Sequence, residues 1–307
     1  MSNRTHSLLI GAVIAAVVTL PALAGDPNWV TGSRASYDVR SLKVDDVVAT
    51  LRVDVTDRGP ATLQISGLKQ RMGDVKANAS NGVLHIEGHN MDAVWDWSHW
   101  FDFSHFNQYK PDQLIITVTV PRGTRVEVND IVGKANIGST EGELRFSSAG
   151  ETDSTIGNVA AANVSLAGSG KVLVGNVAGD LKAETAGSGD IRVGNTGPVN
   201  ADIAGSGSIQ VGHINGSLKV DIAGSGDFSA ASVNGPLGAD IAGSGSVTIG
   251  GGEANPLHVD IMGSGDVTFG GMAVNPHVSC MGSGSVKLRA SRGSLSNECT
   301  SNLKIGP

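Results

Sequence analysis

Four aspartates, Asp202, Asp221, Asp240 and Asp260, follow Glu184 at intervals of 18 to 20 residues. If each interval is one turn of a stacked chain, five carboxylates stand in a row about 5 Å apart. Charges that close repel unless they are screened, paired or bridged by a cation. Carboxylates and neighbouring serine oxygens suit a hard ion, so the row is a candidate Ca2+ ladder. The plainer alternative is a column of solvated acids, partly neutralised by Lys182 and Lys219. A second concentration of chemistry lies at Trp95, Trp97, Trp100, Phe101, Phe103, Phe106 and Tyr109, interleaved with Asp96, His99, Asp102 and His105. Flat rings beside hydrogen-bonding groups suit stacking against a sugar or a protein partner. The same rings would equally serve as a cap over the end of a stack, where open strand edges invite unwanted pairing.

Two cysteines, Cys280 and Cys299, complete the reactive inventory. In an oxidising compartment they are expected to form a disulfide that ties the tail to the last repeat, worth roughly 3 kcal/mol. The alternative for Cys280 is a small buried thiol. No paired Cys or His flanks either one as a zinc site would require. Catalytic signatures are missing: there is no His-Glu-x-x-His, no Gly-x-Ser-x-Gly elbow, and Gly168-Ser169-Gly170-Lys171 is too short for a phosphate loop. A lyase or hydrolase that uses paired carboxylates on a repeat face remains the enzymatic rival, but no carboxylate pair stands out from the repeat.

The elements that must position these groups are set by a repeat. Gly-Ser-Gly triplets begin at Gly168, Gly187, Gly205, Gly224, Gly243, Gly263 and Gly282. Residues six, four and two positions before each triplet are mostly apolar, as in Leu218, Val220 and Ile222, and alternation resumes after it, as in Ile209 and Val211. Period-two alternation predicts a strand with one buried face. Each unit therefore reads as two short strands joined at a glycine corner, with a second turn at pairs such as Gly194-Asn195 and Asn234-Gly235. Degenerate units precede the first triplet at Ile137-Gly138 and at Ala149-Gly150 with Ile156-Gly157-Asn158-Val159. About nine coils would stack to about 40 Å. After the triplets the sequence alternates Asp190, Ser208, Asp227, Ser246, Asp266, Ser285, a pattern that keeps aspartate from stacking on aspartate. Identical residues recurring at one position favour a parallel stack over a meander of hairpins. The expected fold is all-β: a right-handed parallel β-helix, or β-solenoid, with 18–20-residue coils.

Composition agrees, with 43 glycines but only 12 aromatics among 307 residues, which suits a thin aliphatic core. Arg4, the apolar run Leu8 to Leu20 and Ala22-Leu23-Ala24 read as a Sec-type signal peptide over 1–24. Cleavage leaves a formal charge of −8, which disfavours nucleic acid and anionic lipid as partners. No later segment is apolar enough to span a bilayer as a helix. The chain thus divides into the leader, a β-rich region at 25–128 with an aromatic insertion at 91–110, repeats at 129–290, and a tail at 291–307.

The strands leading to Gly82-Val83-Leu84-His85-Ile86, the run Leu114 to Pro121, and the Ala-Gly-Ser-Gly-Asp repeats at Ala186 to Asp190 and Ala223 to Asp227 together resemble the GIN-domain family of exported bacterial proteins, the adhesin head domains. The resemblance spans roughly residues 36 to 290. It implies a β-helix-like fold and a place in the cell envelope, periplasmic or at the surface. The repeats run almost to the last residue, so no translocator barrel is expected to follow. The expected function is a non-enzymatic adhesion or scaffold protein that meets an envelope glycan or a surface protein. A carbohydrate-binding module that uses the aromatic insertion is the alternative.

Overall fold

The computed structural model describes residues 27–88, 110–299 and 302–306. The leader and the aromatic run Trp95 to Tyr109 lie outside the described residues. Within them the chain is a β-solenoid of about nine stacked parallel turns.

One coil shows how sequence becomes structure. Leu218–Gly224 forms the long face, and its alternate residues Leu218, Val220 and Ile222 point inward with at most 2 % of their surface exposed. The chain turns at Gly224-Ser225-Gly226 and enters Asp227–Gly243, where Phe228 and Ala230 face the core from a second side. Val233 then closes a third, short side before the next long face begins at Leu237. Each fully buried aliphatic or phenyl group contributes about 1.5–3 kcal/mol, so a single rung is held mainly by apolar burial.

The third side is the main departure from the two-strand unit expected from sequence. It is one to three residues wide, and its ladder runs through Val159 and Val177, then Thr196, Ile214 and Val233. A run that short shows no alternation, and the buried Thr196 interrupts its apolar character, so periodicity alone passes over it. The corner that leads into it is set by an asparagine ladder. Asn176 N–H donates to Asn158 Oδ1 at 2.8 Å, Asn195 N–H to Asn176 Oδ1 at 2.9 Å, and His213 N–H to Asn195 Oδ1 at 2.9 Å.

At the first corner glycine is required twice over. Gly224 has φ +128°, and a Cβ there would lie 2.4 Å from the carbonyl oxygen of Gly205 in the coil below. The middle serine donates its backbone N–H to that same carbonyl, as Ser225 does to Gly205 at 2.8 Å, and this contact repeats from coil to coil. Identical triplets therefore stack because the backbones touch.

The parallel ladders continue into the N-terminal region. On the long face Ser41–Asp45 lies between Val83–Gly88 and Arg125–Asn129, and on the second face Val48–Thr56 lies between Leu114–Pro121 and Val132–Ile137. Pairing then turns antiparallel. Val75–Ser80 forms a hairpin on Val83–Gly88, Ala61–Leu68 covers Leu114–Pro121, and Trp29–Thr31 and Ala35–Tyr37 add to Ala61–Leu68. The outermost Val75–Ser80 carries Lys76, Asn78 and Ser80 outward, a polar finish that discourages edge pairing. At the other end Ser296–Asn297 and Leu303–Ile305 continue two of the ladders in parallel, so the tail adds part of a coil.

Candidate functional site

The outward side of the long face carries three columns. Glu184, Asp202, Asp221, Asp240, Asp260 and Ser279 are successive register partners, so the predicted acidic row is a true column in space. Two residues earlier runs Lys182, Asn200, Lys219, Gly238, His258 and His277; two residues later runs Ala186, Ala204, Ala223, Ala242, Met262 and Met281. The acidic and apolar columns line an open groove of about 780 Å³ along the molecule. Its apolar wall is exposed throughout, and Met262 and Met281 show 63 % and 72 % of their surface.

Charge along the column is settled every second coil. Lys182 pairs with Glu184 at 2.7 Å, Lys219 bonds Asp221, and His258 Nε2–H donates to Asp260 Oδ2 at 2.8 Å. The intervening coils have Asn200 and Gly238 in the basic column, and the acids beside them are Asp202 and Asp240. These two carry the strain. Partial burial, reinforced by Asp221 and Glu184, raises the Asp202 pKa. Partial burial, then a hydrogen bond shared with Asp221 and the charges of Asp221 and Asp260, raises that of Asp240.

The column after the triplet uses the same two-coil period. Ser208, Ser246 and Ser285 each donate a hydroxyl to the aspartate one coil below, Asp190, Asp227 and Asp266, at 2.5 Å. The Asp/Ser alternation seen in sequence is therefore a set of paired acceptors and donors. Near the N-terminal end Asp45 shows the opposite balance. Burial there works against ionisation, but hydrogen bonds from Lys43, Asn129 and His85 outweigh it and lower the Asp45 pKa.

Cys280 and Cys299 are joined by a disulfide, with Cα atoms 4.6 Å apart. Cys280 stands in register with Ile261 and packs against the core, while Cys299 is buried, so the bond fixes the tail to the final long-face strand. The aromatic run lies between described residues on either side in the sequence. It follows Val83–Gly88, and it leads into Lys110, whose carbonyl accepts from the buried Arg71 guanidinium at 3.4 Å.

Sequence reasoning missed His258 and His277. They are register partners on adjacent strands, with stacked rings whose centroids lie 4.8 Å apart. The available signal was their spacing of one repeat within the column of Lys182 and Lys219.

No curated protein matches the chain in sequence. Solved structures similar to it include a “putative lipid binding protein” from Parabacteroides distasonis, 18 % identical, covering 88 % of this chain and 98 % of that one at TM-score 0.46. A “putative adhesin” from the same species is 15 % identical, covering 89 % and 98 % at TM-score 0.43. One from Parabacteroides merdae is 16 % identical, covering 88 % and 98 % at TM-score 0.42. The family profile described as “Putative auto-transporter adhesin, head GIN domain” matches residues 43–252, which takes in the N-terminal ladders and the repeats through most of the groove, and the chain belongs to that family.

Proposed function

We propose that this protein is an exported, non-enzymatic rod of the bacterial envelope that adheres or scaffolds through the groove on its long face. The observation that carries the reading is the groove itself. It is long, open and lined by a mainly acidic column beside an apolar one, a shape that fits an extended glycan or polypeptide segment better than a small substrate. Apolar wall and acidic floor lie side by side, as a contact surface for an amphipathic or cationic chain requires. Family membership, the leader pattern over 1–24 and the tail disulfide support export.

The test is co-sedimentation of the mature protein with isolated envelopes, alongside an array of envelope glycans. Saturable retention is expected, reduced at least tenfold by Ala223→Arg with Ala242→Arg, while circular dichroism stays unchanged. Unaltered retention would remove the groove as the contact, and release of cleaved glycan would overturn the non-enzymatic reading. The second reading, a carbohydrate-binding module using Trp95 to Tyr109, rests on the concentration of aromatics in that segment.

A further inference from the structure

At the C-terminal end of the groove the outward columns change character together. In the last two full-length long-face strands, Gly252–Gly263 and His277–Gly282, the basic column becomes His258 and His277, and the small apolar column becomes Met262 and Met281. Here the acidic column holds Asp260 and then Ser279. The two imidazoles are cross-strand neighbours, stacked within 5° of parallel, and Asp260 reaches His258 from two residues along the same strand face. One ligand atom from each of His258, Asp260 and His277 lies within 4.8 Å of the others.

We infer that His258, His277 and Asp260 form a binding site for a divalent first-row transition ion. Two imidazole nitrogens and one carboxylate oxygen are borderline donors, which suit Zn2+, Cu2+ or Ni2+ and do not suit Ca2+, whose ligands are oxygens. The geometry needs only side-chain rotation. The rings already share one face of the sheet, and an ion would take the place of the proton now shared by His258 and Asp260. Three protein ligands leave coordination positions open toward solvent, as in sites that exchange ions or accept a ligand from a partner. Met262 and Met281 lie four residues beyond the histidines, about 13 Å along the strand, too far to bind the same ion.

The surroundings favour capture. The neighbouring Asp240 and Asp221 add negative charge along the column, which draws cations toward its end. The disulfide of Cys280 fixes the strand that carries His277, so one of the two imidazoles is presented from a stapled backbone. The inference does not depend on what occupies the groove, and its failure would leave the adhesion reading untouched.

The experiment is calorimetric titration of tag-free mature protein with Zn2+ at neutral pH, paired with NMR of the histidine ring carbons. One tight equivalent is expected, with ring signals of His258 and His277 shifting together. His277→Gln and His258→Gln should each weaken that equivalent at least tenfold, and Asp260→Asn should weaken it less. Millimolar Ca2+ should not displace the ion, whereas acidification should release it, since a protonated imidazole cannot ligate. Binding that survives His277→Gln, binding displaced by Ca2+, or the absence of a tight equivalent would each overturn the site. The substitutions are on the outward face, and an unchanged circular dichroism spectrum would separate loss of a ligand from loss of the fold.

Discussion

Asp202 and Asp240 are where the protein spends stability on its surface. A carboxyl whose folded pKa is raised is destabilising once ionised. Their contribution is therefore least unfavourable in acid and worsens as pH rises from the ordinary value of 3.8 through the raised folded value. Asp45 has the opposite sign: its pKa is lowered, so it stabilises at neutral pH and that support is lost as pH falls through the folded value. Asp202→Asn and Asp240→Asn should each raise stability at neutral pH by about 0.5 kcal/mol, the scale of one cross-strand pair. Both gains should shrink in acid, as protonation removes the charge of the native carboxyls. Denaturant titration at pH 7 and pH 4 checks this, and equal gains at both would refute the charge account. The same column sets the terms for Ca2+. Glu184, Asp221 and Asp260 already have cationic or imidazole partners, so a hard ion bridging the row must compete with Lys182 and Lys219.

At the scale of the element, the coil is three unequal sides, and each was legible to a different degree. The long face could be read because Leu218, Val220 and Ile222 repeat their types in five successive coils and every inward position is apolar or nearly so. The first corner could be read because its glycines cannot be replaced without a backbone collision. The third side could not, because one to three residues carry no period. The acidic column was visible through its spacing, but its alternating partners were not, since Asn200 and Gly238 look unremarkable until seen beside Asp202 and Asp240. The His pair was hidden for a related reason: a lone histidine carries no message until its register partner is known. The last coil adds a prediction of its own. Removing the tail staple with Cys299→Ser should cost about 3 kcal/mol of local stability. Hydrogen exchange should then speed up in Val278 and Val286 through Leu288, with Val47 through Val53 at the far end unchanged. Uniform acceleration along the chain would mean that the disulfide supports the whole stack.

For the whole molecule, continuity is the main property. Among the described residues one core cluster runs from Val39 to Cys299, and parallel ladders pass from the repeats into Ser41–Asp45 and Val48–Thr56. A change of composition near residue 128 does not interrupt the stack. A rod built this way offers long faces with repeating chemistry, and the proposed contact uses one of them. Hydroxyl-radical footprinting of the mature protein, free and bound to isolated envelopes, tests that claim most directly, because Met262 and Met281 are exposed thioethers on the groove wall. The account predicts that binding shields both from oxidation while the exposed Leu295 outside the groove keeps its free reactivity. Full oxidation of Met262 and Met281 in the bound state, with protection moved to Trp95 through Tyr109, would contradict it and assign the contact to the aromatic segment.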